Sequence, residues 1–325
     1  MKYIIPTIKA AQSRNNNITF LSSPWSPPSF MKSNNSIYNG GKLMRKYYET
    51  WSNYLVKYIK SYLSNNIKID YMTIQNEPNA SQSWESCTYS AQEESDLLKN
   101  YLFPILKKNK LDTKFIIWDH NKDSILDRTI STLVDNGALD YASGIAFHWY
   151  SGSHFESLNL INKLFPDKLL IHTEGCTGYS NFNASDELFN GEMYASEIIG
   201  DLNNGTNGFI DWNMVLEYNG GPNHKNNFCN SPIMINKKHT DYIKTPSFYY
   251  IGHFSKYIKP QAIRIHSSTF SENIKITSFK NPNNSVIIIL LNKNNFNIEY
   301  NLCCKNYSFH DNLDSHAIVT FVINE

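Results

Sequence analysis

Two glutamates in this chain of 325 residues each close a short apolar run. The run Ile67–Thr73, IKIDYMT, leads into Ile74–Ser81, IQNEPNAS, where Pro78 follows Glu77 at once. The run Lys168–Thr173, KLLIHT, leads into Glu174-Gly175-Cys176. Proline lacks the N–H that a ladder needs, so a carboxyl before it is presented at a strand end rather than inside a sheet. Two carboxyls facing one pocket suit hydrolysis of a glycosidic bond. One, protonated, donates to the leaving oxygen; the other, ionised, attacks the sugar or activates water. Burial raises a carboxyl's pKa and hydrogen-bond donors lower it, so two glutamates can be held in different states. For either glutamate alone, a solvent-facing strand end is the plain alternative.

The other strand ends carry similar material. They are Ser23-Pro24-Trp25-Ser26-Pro27-Pro28, Asn76-Glu77-Pro78, Asp119-His120-Asn121, His148-Trp149-Tyr150 and Asp211-Trp212-Asn213. Aromatic rings stack on the C–H faces of sugars, although most of the chain's aromatics serve the core. His148 and His120 with Asp119 lack the spacing of a metal site, so no metal and no cofactor are expected. Cys176 reads as a packing residue, and Gly220-Gly221-Pro222 as a turn rather than a phosphate loop.

The elements that position these residues alternate. Helical patterns over Tyr3–Gln12, Leu43–Ser64, Ala91–Lys108, Ser124–Asp135, Phe155–Phe165 and Gly191–Leu202 interleave with apolar runs. Those runs are Ile18–Ser22, Ile67–Gln75, Lys114–Trp118, Ser143–His148, Lys168–Thr173 and Gly208–Asn213. Ser90 and Glu93 form a capping-box pattern, and Pro104 should kink or end its helix. Short continuous apolar strands alternating with helices predict a parallel sheet, and a (β/α)8 barrel places function at the strands' C-terminal ends. Six strands are visible where such a barrel has eight. From about residue 262, five strand patterns with Asn-rich turns and no helix predict a small antiparallel β-domain. The expected division is a barrel over residues 1–260 and a β-sandwich over 261–325.

Lys and Arg number 30 against 29 for Asp and Glu, which gives no electrostatic case for nucleic acid or a polybasic membrane contact. Five cysteines without a spacing framework point to a reducing compartment. Residues 1–11 lack the pattern of a signal peptide, and no apolar run has the length of a membrane span. The default expectation is a cytoplasmic chain, with secretion open for a longer form.

Several motifs, in order, resemble glycoside hydrolase family 30. They are SPWSPPSFMKSN (23–34), TIQNEPNAS (73–81), WDHN (118–121), AFHWYSG (146–152), TEGC (173–176), DWNMVLEYNGGPNHKNNFCNSPI (211–233) and YYIGHFSKYI (249–258). The resemblance implies a retaining β-glycosidase of glucosylceramidase type, working by double displacement on a β-linked glycoside or glycolipid. It implies Glu77 as acid/base and Glu174 as nucleophile, with Asn76 on the sugar 2-OH. It also implies Trp25, Trp149 and Trp212 as walls of the sugar site, and Asp119, His148, Tyr150 and Asn227 as groups that bind hydroxyls or orient the carboxyls. β-Xylosides and β-1,6-glucans are the alternative substrates. Family members carry two further barrel strands and further sandwich strands upstream. The chain is therefore expected to be an N-terminally truncated glycosidase, with an inactive or sugar-binding remnant, or a fragment that pairs with an upstream polypeptide, as the alternatives.

Overall fold

The computed structural model describes residues 2–179, 183–304 and 307–324. They form two compact units, Met1–Thr173 and Glu174–Glu325. Among the described residues no helix is long and apolar enough to cross a membrane.

The first unit alternates helix and strand as the pattern predicts. Its order is α1 (Ile4–Arg14), β1 (Leu21–Ser22), α2 (Tyr48–Leu63), β2 (Tyr71–Thr73), α3 (Ala91–Leu97), α4 (Phe103–Lys108), β3 (Lys114–Asn121), α5 (Ile125–Ile130), β4 (Ala142–His148), α6 (Phe155–Leu164) and β5 (Leu169–Glu174). The strands lie side by side in chain order, and β1/β2, β2/β3 and β3/β4 are parallel. Phe115, Ile117, Ile145 and Phe147 from the strands share one core with Trp51, Leu55 and Ile59 of α2 and with Leu97, Leu102 and Leu106. Burial on both faces explains the continuous apolar runs.

Two predicted helices are interrupted. Ala91–Lys108 becomes α3, a π-turn at Leu98–Leu102 and α4, with Pro104 in the first turn of α4. Pro104 has no N–H to donate and its ring crowds the preceding turn, and the wider π-turn accommodates it. The capping box holds: Ser90 Oγ accepts from the Glu93 amide at 3.1 Å, and the Ser90 amide donates to Glu93 Oε2 at 2.7 Å. Ser124–Asp135 likewise ends in a π-turn over Ser131–Asp135.

The second unit begins with α7 (Ala184–Asn203) and β6 (Gly208–Phe209), the sixth strand of the series. A small sheet follows: β7 (Val215–Glu217) runs parallel to β8 (Ile233–Ile235), which is antiparallel to β9 (Tyr242–Lys244). Next come α8 (Pro246–Ser255), β10 (Ile263–Ile265), β11 (Ile274–Lys280), β12 (Val286–Asn292), β13 (Ile298–Cys304), β14 (Tyr307–Leu313) and β15 (Ala317–Ile323). A sheet in the order β10-β11-β12-β15 faces the antiparallel pair β13–β14. Side chains alternate along a strand, so VIIILL of β12 serves two cores. Ile287, Ile289 and Leu291 pack with Ile198 of α7 and with Tyr250 and Phe254 of α8, while Val286, Ile288 and Leu290 pack with the β13–β14 side.

Besides the β7–β9 sheet, three features of this unit lie outside the sequence expectations. α7 runs through Gly191 rather than starting there, and that glycine is a close-approach point: a Cβ there would stand 2.8 Å from the Tyr250 ring. α8 opens on Thr245-Pro246, proline at the first helical position being a readable start signal. β14, YSFHDNL, is exposed along most of its length, and its alternation of Tyr307, Phe309 and Leu313 is broken by Asp311.

Candidate active site

In the first unit, the end of β2 is bent into a loop at Glu77. Its φ is 48°, in the left-handed region, and a proline follows, which normally restricts the preceding residue to extended backbone. Backbone bonds hold the turn. The Glu77 amide donates to the Asp119 carbonyl at 2.9 Å, the Asn76 amide to the Pro24 carbonyl at 2.9 Å, and the Ala80 amide to the Glu77 carbonyl at 2.9 Å. The Gln75 amide group donates to the Trp25 carbonyl at 2.7 Å, which ties the loop after β1 to the end of β2. A non-glycine residue in this region persists only where its surroundings over-determine it, as these bonds do for Glu77.

A β-bulge shapes the neighbouring strand. Trp118 and Asp119 have φ of 74° and 58°, and the β3/β4 register shifts between Trp118 and His120. The extra residue brings the Asp119 carbonyl to the Glu77 amide and the His120 ring to the Glu77 carboxyl. His148 Nδ1 lies 3.5 Å and His120 Nδ1 4.0 Å from Glu77 Oε1, and Gln82 Nε2 donates to Oε2 at 3.2 Å. His148 Nε2 is 3.2 Å from Asp119 Oδ1, which also accepts from Thr173 Oγ1 at 2.6 Å, while Ser23 Oγ donates to Oδ2.

Charge follows from these contacts. Burial pushes the Asp119 carboxyl up, but His148, Ser23 and Thr173 outweigh it and hold the group below the ordinary carboxylate range. The balance at Glu77 is the same: burial raises it, and His148, His120 and Gln82 prevail, so its pKa is lowered. Burial alone predicts the opposite sign. The two imidazoles reverse it, and only the fold brings them there. Desolvation pushes the His120 ring down toward its neutral form. Glu77, His120 and His148 offer three buried donor atoms within 4.8 Å of one another. They could hold a divalent cation, and the same atoms also suit the handling of one proton at Glu77. The spacing argument against a metal set considered Asp119; the fold gathers Glu77 with the two histidines instead.

A second layer braces this loop and the bulge. Glu94 on α3 is fully buried and accepts from Arg128 Nε at 3.2 Å and Nη2 at 3.0 Å, and from the Trp118 amide at 2.9 Å. Arg128 Nη1 donates to Asn79 Oδ1 at 2.9 Å, two residues beyond Glu77, and Nη2 to the Tyr89 carbonyl at 2.8 Å.

The second unit carries the other glutamate. Glu174 is buried, and the Gly175 carbonyl beside it accepts from the Trp212 amide at 3.0 Å and the Tyr194 hydroxyl at 3.4 Å. Asp211 Oδ1 accepts from Tyr194 at 2.7 Å and from the Trp212 amide at 3.0 Å, while Oδ2 is enclosed without a hydrogen-bond donor among the described residues. Desolvation outweighs these donors and raises the Asp211 pKa to about 7.

The sequence-predicted residues therefore divide. Asn76, Glu77, Asp119 and His148 come together in the first unit, with Trp25 attached through its carbonyl. Trp149 is buried with its ring 5.5 Å from that of His172, whereas Tyr150 is exposed beside His148. In the second unit Trp212 stands next to Asp211, and Asn227 is exposed in the loop after Gly221. Sequence reasoning missed Gln82, Ser23, Thr173, Tyr194 and the Glu94–Arg128 pair. Ser23 and Thr173 adjoin strand ends and were findable; the others sit on loops and helices with no motif.

A family model described as the glycosyl hydrolase family 30 TIM-barrel domain matches residues 1–258, and the family's β-sandwich domain matches 261–321. The chain belongs to glycosyl hydrolase family 30. The lysosomal acid glucosylceramidase of Mus musculus is 29% identical over 308 residues, covering 90% of this chain and 60% of the relative. The crystal structure of SrfJ from Salmonella typhimurium is 32% identical with a TM-score of 0.96, covering 99% of this chain and 73% of that one. The endo-β1,6-glucanase BT3312 is 27% identical with a TM-score of 0.90, covering 99% and 75%. The chain spans 53% to 60% of the length of three Caenorhabditis elegans relatives. The family 30 barrel match takes in both glutamates, the six strands β1–β6 and the helices α7 and α8.

Proposed function

We propose that the chain is a retaining β-glycosidase for β-glucosidic bonds, most like a glucosylceramidase, with residues 1–260 as barrel and 261–325 as sandwich. Glu174 is the nucleophile and Glu77 the acid/base. The carrying observation is Glu77 itself: a buried carboxyl on left-handed backbone, gripped by two imidazoles and Gln82. A group that gives up a proton and takes it back needs such fixed neighbours. Asn76, one residue before it, is buried and held by the Pro24 carbonyl, and binds the sugar 2-OH. The partly exposed Trp25 and the exposed Trp212 and Tyr150 supply ring faces to the sugar, and Asn227 a hydroxyl contact. Asp119 and His148 orient Glu77. The substrate is a β-linked glycoside or glycolipid, a reading supported by the likeness to glucosylceramidases. The BT3312 likeness favours a second reading, β-1,6-glucan, on the same two carboxyls.

The test is hydrolysis of aryl β-glucosides and of β-1,6-linked glucose oligomers by the 325-residue chain. Proton NMR should show the β-anomer formed first, and Glu77→Gln should lower kcat/KM by roughly 10²- to 10⁴-fold. Glu174→Gln should abolish turnover. With the Glu77 pKa lowered, the free chain's Glu77 gives up its proton below the ordinary carboxylate range, so kcat/KM should already fall as pH rises through that range. An α-anomer first, or full activity in either variant, contradicts the proposal.

A further inference from the structure

Two thiols lie where the proposed nucleophile's segment meets the loop after Gly221. Cys176 Sγ donates to Cys229 Sγ at a separation of 3.5 Å, and neither is bridged. The backbones around them are laced together. Gly178 and Cys229 form an antiparallel bridge, the Asn230 amide donates to the Thr177 carbonyl at 2.8 Å, and the Tyr179 amide to the Phe228 carbonyl at 3.1 Å. The S–H of Cys176 draws the Cys229 thiol toward its thiolate, against burial.

We propose that Cys176 and Cys229 are a modification site, forming a reversible disulfide when a peroxide oxidises the pair. A thiolate of the pair attacks the peroxide; the O–O bond breaks, hydroxide leaves, and a sulfenic acid remains. The second sulfur attacks that sulfenic sulfur, the S–S bond forms, and the oxygen leaves as water. Two electrons pass from the two sulfurs to one peroxide, and an external dithiol reverses the change.

Closure has a direction. Cys229 is pinned: its amide donates to the Gly220 carbonyl at 3.1 Å, and a Cβ on Gly220 would stand 2.6 Å from the Cys229 carbonyl oxygen. Cys176 is half-buried between Gly175 and Gly178 and is the partner that moves. A disulfide needs about 2.05 Å between sulfurs, so a gap of 3.5 Å closes by roughly 1.5 Å. That pull falls on Gly175, whose carbonyl receives the Trp212 amide and the Tyr194 hydroxyl, and on Glu174 beyond it. A displacement of about 1 Å at a reacting group can cost as much as 10²-fold in rate. The effect on turnover rests on Glu174 acting as proposed above; the bond itself does not.

The experiment treats the full chain with hydrogen peroxide, caps remaining thiols and maps peptides without reduction. The expected product joins the Cys176 and Cys229 peptides, with two hydrogens lost. Aryl β-glucoside hydrolysis should fall roughly tenfold and return with dithiothreitol. Cys229→Ser and Cys176→Ala should keep basal activity and lose this sensitivity. Cys87 is a built-in contrast, since burial pushes its thiol up to about 11. Absence of the joined peptide, or only over-oxidised cysteine, overturns the proposal. A joined peptide with unchanged turnover overturns the coupling to Glu174. If the untreated chain hydrolyses no glycoside, the enzymatic reading fails, and the peptide map alone decides the disulfide.

Discussion

Asp119 and Asp211 each lie at the end of a barrel strand, and burial pushes both carboxyls up. Yet Asp119 is held below the ordinary range while Asp211 rises to about 7. The difference is donor supply. Asp119 has Ser23, Thr173 and His148 on its two oxygens; Asp211 has two donors on one oxygen and none on the other. Burial therefore does not set the charge of a strand-end carboxyl. The number of groups aimed at it does. In the first unit the donors saturate Asp119, and Glu94 with Arg128 follows the same rule. The second unit leaves one carboxyl under-supplied beside the Gly175 carbonyl and Trp212.

The largest expected effect breaks the saturated side. Arg128→Ala strips the guanidinium from Glu94, which is fully buried, and removes the contacts to Asn79 and Tyr89. Truncating one partner of a buried ion pair costs about 3–5 kcal/mol. The urea midpoint should fall accordingly, and the added change Glu94→Leu should recover much of the loss. A variant within about 1 kcal/mol of wild type would show that these charges are not held by pairing.

A smaller effect sharpens the other side. With Asp211 raised to about 7, the folded state keeps a proton that the unfolded chain has already lost. The unfolded state then binds fewer protons, so stability falls as pH rises from about 4 to about 7. The neutral amide of Asp211→Asn still accepts from Tyr194 and Trp212, and it removes that slope. The stability gap between pH 5 and pH 8 should shrink by about 2–3 kcal/mol, read by thermal melts at both values. An unchanged gap would mean that Asp211 is ionised throughout.

Much of this was legible in the sequence because punctuation carries geometry. Pro78 and Gly175 mark the strand ends, so Glu77 and Glu174 stand out, and His148 and Asp119 end neighbouring strands. The helix–strand series also reads directly, since strands covered on both faces are continuously apolar. What could not be read depends on tertiary contact. The bulge at Trp118-Asp119 leaves no residue signature, yet it brings His120 to the Glu77 carboxyl and the Asp119 carboxyl to His148. The downward shift of Glu77 needs imidazoles supplied by β3 and β4. Glu94 and Arg128 lie 34 positions apart on separate helices, and nothing local links them. Gly191 looks like a helix boundary and is instead the point where α7 admits Tyr250.

The pairing of Glu77 with Glu174 in one reaction is the central claim, and covalent trapping tests it most directly. A cyclitol epoxide with β-gluco configuration is incubated with the chain, and the labelled peptide is sequenced by mass spectrometry. The account predicts one equivalent of label on Glu174, formed more slowly in Glu77→Gln because the epoxide then lacks its acid. Label on Glu77, on a cysteine or on no residue would contradict it.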